Sequence, residues 1–588
     1  MKNNIIVFLS VGLLLAMGCK KFEVGNNFLE KPPSVDVTKD TIFSNLEYAN
    51  RFLTGAYRTL HYGYLYNLSR RGIGMAADIL ESLTDLTQSF RKDGGVNNIY
   101  YSGQYSAGTE NGNSTKYSFT GEDNWDGIRN AWLFIENIDR VPDADENTKK
   151  ELKAEARMII AMHYCDMYRH YGGLPWVNHS YSMSDKMEFP RLTTLATLDS
   201  ILAVIDKAIP DLPWTLSDIS NQDGRFTQAS AMGLKARILL FAASPLFNSA
   251  APYLDGEASA AKMAWHGGYD ANLWKKAADA AKELITKIQS QGGYALVNTN
   301  SPRKDFRKAY YERGNGEILI STRVYYKTTD ATGNNSYTYA GLDLMLGHGI
   351  ACPTQEYVDM FPMANGLPIT DPASGYNPNN PYINRDPRLY ETALVNGDTY
   401  QGRTAELWIG GRERKSQSQW RAATGYDLRK WVLDNDAATS RGSIIQFPYL
   451  RLAEIYLSYA EASNESNNGP TTEAYSYVNK VRNRVGLGNL PMGLNKEQFR
   501  EAVLNERACE FGLEEVRWFD LIRWKRAADF TKILHGMNIN KAGNNFTYAL
   551  FVLPPRAWQK TWSPKWYLSA FPPNEIQKGY GLIQNPGW

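Results

Sequence analysis

His163 and His170 are the first side chains in this sequence with the chemistry to share a metal ion. On a helix, positions seven apart lie about two turns from each other, too far for both imidazoles to reach one zinc. Both are therefore read as partly buried structural histidines. Asp143, Asp145 and Asn147 have the opening spacing of a calcium loop, but Thr148 replaces the turn glycine and Ala154 stands where a bidentate Glu belongs. They read as a solvated loop. Gly72-Ile73-Gly74-Met75-Ala76-Ala77 matches a dinucleotide fingerprint in outline, yet Ser69-Arg70-Arg71 precedes it where a buried strand should end. The sequence has no GxSxG elbow, no GxxxxGK[ST] phosphate loop and no HExxH zinc helix. Glycoside hydrolysis needs two carboxylates about 5 to 10 Å apart, and no motif nominates a pair among 62 acidic residues. No catalytic residue, metal or cofactor is expected. Holding a sugar or a peptide without cleaving it asks for less: aromatic faces against apolar surface, with amides, carboxylates or Arg for the polar edges.

Long amphipathic helices must position any such residues. Met158, Ala161, Met162, Cys165 and Tyr168 recur at helical spacing over 150–171, and Gly172-Gly173-Leu174-Pro175 stops that helix. The same periodicity marks Ala231 to Phe241, Ala277 to Ile288 and Leu452 to Ala460, and further helices are predicted over 45–60, 125–139, 198–209, 473–485 and 496–511. They fall into about four pairs, three before residue 292 and one after 448, the pattern of an α-solenoid-like stack. Between them lie stretches rich in Gly, Asn, Ser and Tyr, at 94–121, 328–341 and 353–441. Their Tyr and Trp content argues for a folded, loop-rich ligand face rather than disorder.

The chain has 588 residues and a net charge of +2, with no field to draw in nucleic acid or an anionic membrane surface. After residue 18, no stretch approaches the roughly 20 apolar residues of a spanning helix. The start itself is distinctive: Lys2, an apolar run from Ile5 to Met17, then Gly18 and Cys19. This is an export signal ending in a lipobox-like site, so 1–18 is read as a lipoprotein signal peptide and Cys19 as the lipid attachment residue. Residues 19–40, with Gly25, Pro32 and Pro33, read as a tether. Cys165, Cys352 and Cys509 form no CxxC pair, and no obligatory disulfide is expected.

The stretch from Asn505 to Trp524, NERACEFGLEEVRWFDLIRW, resembles the signature of the SusD/RagB family, the surface glycan-binding lipoproteins of Bacteroidetes. The resemblance extends through Phe28-Leu29-Glu30, Ala154 to Arg157, Tyr171 to Pro175, Asn384 to Arg388, Arg451 to Leu457 and Gln584 to Trp588. It implies a mainly α fold of four tetratricopeptide-like helix pairs supporting a loop-rich half, generally without catalysis. It also implies a lipid anchor in the outer membrane and a SusC-like TonB-dependent transporter as partner. On this division, 41–588 is one SusD-like domain, with helix pairs mainly at 41–291 and 448–485, a loop-rich region at 292–447 and the signature region at 496–588.

The acids and arginines of Glu506 to Arg523 alternate around Trp518, Phe519 and Trp524 and read as ion-paired packing rather than chemistry. Asn384 to Arg388 reads as a turn with an internal Arg and Asp pair. For the ligand face the nominated residues are Asp78 and Arg91 as polar partners, with Tyr101, Tyr105, Tyr325, Tyr326, Trp408 and Trp420 as stacking platforms. The leading expectation is an oligosaccharide-binding surface lipoprotein; the alternatives are a RagB-like peptide binder and a lipid-anchored glycosidase.

Overall fold

The computed structural model describes residues 38–60, 78–92, 95–110, 115–121, 123–182, 184–324, 349–416, 421–432, 434 and 445–588. Cys19, the signal and most of the tether, the 72–77 glycine motif, Tyr325, Tyr326, Trp420 and the 328–341 stretch lie outside the described residues.

The helices open where a side chain can accept the N–H groups that a first turn leaves unpaired. Asn45 caps α1 (Leu46–Tyr57), its Oδ1 accepting the Tyr48 N–H at 2.9 Å. After α2 (Asn124–Asn137), Asp145 caps α3 (Glu146–Tyr171) by accepting the Thr148 N–H at 2.7 Å, while Asp143 accepts the Leu46 N–H of α1, also at 2.7 Å. The two acids of the calcium-like spacing are thus caps on two helices. At the far end of α3, Gly172 turns the chain at φ +81°, and a Cβ on Gly173 would meet the Leu192 carbonyl oxygen at 2.0 Å. That close approach explains the paired glycines.

The stack continues through α4 (Thr194–Ala208), α5 (Gln228–Ala243), α6 (Asn272–Gln291), α7 (Leu452–Ser466) and α8 (Thr472–Arg484). Each helix from α1 to α8 packs on the next, and α6 packs on α7 across an insertion of some 160 residues, so the four pairs form one continuous scaffold. α9 (Lys496–Phe511) leans on α7 and leads into the short α10 (Arg517–Arg523). The fold is mainly α, built on the four helix pairs that the periodicity predicts.

The strands come in two-stranded antiparallel ladders. β1 (Ile318–Val324) pairs with β2 (Ile445–Arg451), and β2 feeds α7 directly. β3 (His535–Ala542) and β4 (Asn545–Val552) form a hairpin absent from the sequence reading. One core cluster runs through the helix pairs, and a smaller one, around Tyr357, Phe361, Leu389, Tyr426 and Ile539, underlies the loop-rich half. His163 and His170 are both buried: His163 lies 2.9 Å from Thr59 Oγ1, and His170 stacks on Tyr117 with ring centroids 4.4 Å apart.

Candidate ligand-binding site

The region is assembled from a short segment, Asp78 to Arg91, whose shape is set by its own side chains. Asp78 Oδ1 accepts the Ile79 N–H at 3.0 Å and the Ser82 hydroxyl at 2.5 Å, which fixes the 3₁₀ turn Leu80–Leu83. Thr87 and Gln88 then pair with Pro353 and Cys352, and the Phe90 N–H donates to the Gly349 carbonyl at 2.9 Å. Asn97 holds the same backbone by donating to the Ser89 and Arg91 carbonyls at 3.2 and 2.9 Å. The buried Cys352 thiol, pushed up by desolvation, lies against the backbone of Ala423 and Thr424 and feels the charges of Asp427 and Asp78. Asp78, Phe90, Gly349 and Ala423 come from segments far apart in sequence, and this ladder gathers them into one cluster, the candidate mouth of a ligand site.

Polar groups belong to the same cluster. Burial raises the Asp78 carboxyl above its ordinary range, and the positive charge of Arg91 opposes the shift. Asp78 Oδ2 has no hydrogen-bond partner among the described residues. Arg421, half-buried, reaches Asp427 at 3.1 Å, and desolvation pushes that carboxyl up to about 6. Arg91 is itself half-buried at the edge of the segment. The structure therefore brings Asp78 and Arg91 together and adds Arg421 and Asp427, which the sequence reading missed.

Tyr101 and Tyr105 require correction, because neither presents a free ring. Tyr101 donates its hydroxyl to the Ser82 carbonyl at 2.5 Å and accepts the Ser89 N–H at 3.2 Å, while the Arg556 guanidinium lies 4.7 Å from its ring centroid. Tyr105 is enclosed by Tyr100, Trp566 and Trp588 at centroid distances of 4.7, 4.9 and 5.0 Å, and its hydroxyl accepts a hydrogen bond from Lys116 at 2.8 Å. Both are core residues that shape the mouth from behind. Trp408 stays half-buried at the margin of the smaller core, with Lys541 4.8 Å from its ring centroid, and the turn through Gly410 (φ +99°) carries it there.

Behind the mouth sits the charge of the C-terminal signature. Arg451, at the end of β2, donates to Glu317 at 2.6 Å, Glu510 at 2.9 Å and Glu514 at 2.8 Å. Arg484 reaches Glu510 at 2.5 Å and Glu317 at 3.1 Å, and Arg482 reaches Glu506 at 3.0 Å. Arg388 joins Asp386, Glu506 and Glu510 at 2.8, 2.6 and 3.1 Å. All of these side chains are buried, as is Lys430, 2.6 Å from Glu514. The expected Arg388–Asp386 pair is present and is one corner of a larger network. Its purpose is positional: Arg517 from α10 binds Asp85 at 2.9 Å, and Arg556 donates to the Thr84 and Thr87 carbonyls at 2.6 Å each. The signature region therefore clamps the segment that carries Asp78.

The closing motif does related work at the other end of α3. Arg191 donates to the Tyr171, Gly173 and Ile583 carbonyls and to Asn585 Oδ1 at 2.7 to 2.8 Å, joining the double-glycine turn to the C-terminus. Desolvation without a carboxylate partner brings its pKa down to about 9. Among the described residues, no group of three or more His, Cys, Asp or Glu side chains is arranged to hold a metal.

Residues 317–588 match the SusD family model. This C-terminal part of the chain belongs to the SusD family. It is 22% identical over 550 residues to a SusD-like protein of Formosa agariphila, covering 89% of this chain and 90% of that one. A SusD-like protein from Bacteroides fragilis superposes with a TM-score of 0.72 at 24% identity, covering 95% of this chain and 100% of the other. A second B. fragilis structure, a SusD-like carbohydrate binding protein, superposes at 0.67 with 19% identity over 91% of this chain and 99% of the other. The SusD fold thus extends over the helix pairs that precede residue 317.

Proposed function

We propose that this SusD-family protein captures an oligosaccharide at the cell surface and delivers it, uncleaved, to a SusC-like TonB-dependent transporter in the outer membrane. In this reading 1–18 is removed as a signal peptide, Cys19 carries the lipid, 19–40 is the tether and 41–588 is the binding domain. The observation that carries it is the likeness over nine-tenths of the chain to a carbohydrate-binding member of the same fold. The candidate mouth adds the chemistry: a buried Asp78 carboxyl with one oxygen unbonded, cations at Arg91 and Arg421, and the half-buried Trp408 in the loop-rich half. Sugar hydroxyls suit such acceptors, and C–H faces suit an indole. Tyr325, Tyr326 and Trp420 remain proposed stacking platforms. Among the described residues no helix is long and apolar enough to cross a membrane, which agrees with attachment through lipid.

The test is a titration of protein beginning after Cys19 against neutral and uronic-acid oligosaccharides, following Trp fluorescence and analysing the recovered sugar. Saturable quenching by one class with intact sugar is the expected result. New reducing ends would make the protein a glycosidase. Silence with every sugar, together with saturable binding of peptides, would make it a RagB-like peptide binder.

A further inference from the structure

Where α3, α5, α7, α9 and α10 converge on the end of β2, the structure leaves a partly open cavity of about 40 Å³. Asp166 and Arg169 reach it from α3, Arg237 from α5, Glu454 from α7, Arg507 from α9 and Asp520 from α10. Tyr449 of β2 closes one side, donating its hydroxyl to Asp166 Oδ1 at 2.6 Å. These charges are paired: Arg169 with Asp166, Arg237 with Glu454 at 2.5 Å, and Arg507 with Asp520 at 2.8 Å.

The pairing does not exhaust the donors. A guanidinium carries five N–H groups. Arg169 Nε has no hydrogen-bond partner although the residue is only 8% exposed, and the Phe519 ring, 3.8 Å from the guanidinium carbon, covers one face of the group. Arg237 spends Nε on Glu454 and Nη2 on the Tyr449 carbonyl and Glu454, while Arg507 spends Nε on Asp520 and Nη1 on Ser458. An unspent donor, Arg169 Nε, thus borders one small polar space that Arg237 and Arg507 also line. Leaving such a group unsatisfied costs about 1–3 kcal/mol.

The size and charge of the space select its occupant. A water molecule needs about 10–15 Å³ of such volume, so there is room for about three. With Lys116, Arg523, Glu514 and Glu515, which also line the space, five cations face five acids, so no net field favours an anion or a cation. An apolar guest would leave the N–H groups unmet. We propose that this cavity is a binding site for a cluster of about three ordered waters, which hydrogen-bond Arg169 Nε and its neighbours and form a wet joint among α3, α5, α7, α9 and α10.

The test is near-atomic crystallography of the protein beginning after Cys19 in three states: native, soaked in bromide, and pressurised with xenon. The expected result is water density within hydrogen-bond distance of Arg169 Nε in all three, with no anomalous peak in the cavity. A bromide peak would make it an anion site, a xenon peak would make it a dry apolar void, and featureless native density would mean no bound cluster. Each of these three outcomes overturns the proposal.

Discussion

Around Arg451 and around Asp78 the chain uses the same residue types for different ends. Behind Arg451, Glu317, Glu510 and Glu514 are each held by at least two cations at 2.5 to 3.1 Å, so their oxygens are spent within the protein. At the mouth, Asp78 shares one oxygen with Ile79 and Ser82 and keeps the other unbonded. The difference separates scaffold from proposed site: a satisfied buried network fixes geometry, whereas a buried group left unmet keeps hydrogen-bonding capacity that the proposal assigns to a ligand. The most conspicuous sequence motif belongs to the first kind, and the residues proposed to touch ligand belong to the second.

Breaking the network should produce the largest effect. Arg451→Met leaves three buried carboxylates short of a partner and is expected to cost about 3–5 kcal/mol in urea denaturation; a loss below 1 kcal/mol would dissolve the distinction drawn above. Tyr101→Phe deletes one donor and one acceptor beside the Asp78 segment and should cost about 1–3 kcal/mol, read as a lower midpoint at unchanged slope. A full-sized binding defect with no stability loss would return Tyr101 to the ligand face.

Acid separates the network from the raised carboxyls. Salt partners hold Glu510 and Asp85 below the ordinary carboxylate range. Their stabilisation is present above the unfolded pKa, near 4, and is lost as pH falls through the lower folded values. Acid unfolding should therefore steepen below about pH 4. Glu110 has the opposite sign: burial raises it to about 7, so its neutral form is favoured in the fold and stability declines as pH rises from about 4.5 toward 7. Glu110→Gln should flatten that decline in a pH series of thermal melts, and an unchanged slope would show that the group does not titrate there.

The smallest effect on stability belongs to the margin of the mouth. Trp408→Ala is expected to weaken oligosaccharide binding about tenfold, which is about 1.4 kcal/mol, while the melting temperature stays nearly constant. A large fall in melting temperature with intact binding would assign Trp408 to the smaller core.

What the sequence revealed follows the range of the forces involved. Helix interiors were legible from their periodicity, but the helix predicted from 198 begins at Thr194: the caps Asn45, Thr193, Thr227, Thr471 and Asn495, which accept N–H groups three residues on, carry a local signal that periodicity alone does not read. The Arg388–Asp386 pair was legible because both residues lie in one short motif. Glu317 and Arg484 were not, because their common partner Arg451 lies 134 residues from Glu317 and nothing in the local pattern links them. Tyr101 and Tyr105 were misread because Trp558, Trp566 and Trp588, which cover them, lie more than 450 positions away. The β3–β4 hairpin did leave a signal: Gly543-Asn544 joins two strands paired from Ala542 to Asn545, with Gly543 at φ +62°.

The central claim is that capture occurs at the mouth built on Asp78 and not elsewhere on the scaffold. Hydrogen exchange on the protein beginning after Cys19, with and without a saturating oligosaccharide from the class that quenches Trp fluorescence, tests it most directly. Slowed exchange confined to 78–92, 349–353 and 403–427, with α1 to α8 unchanged, is the predicted result. Protection on the outer faces of the helix pairs, with those three segments unaffected, would contradict it.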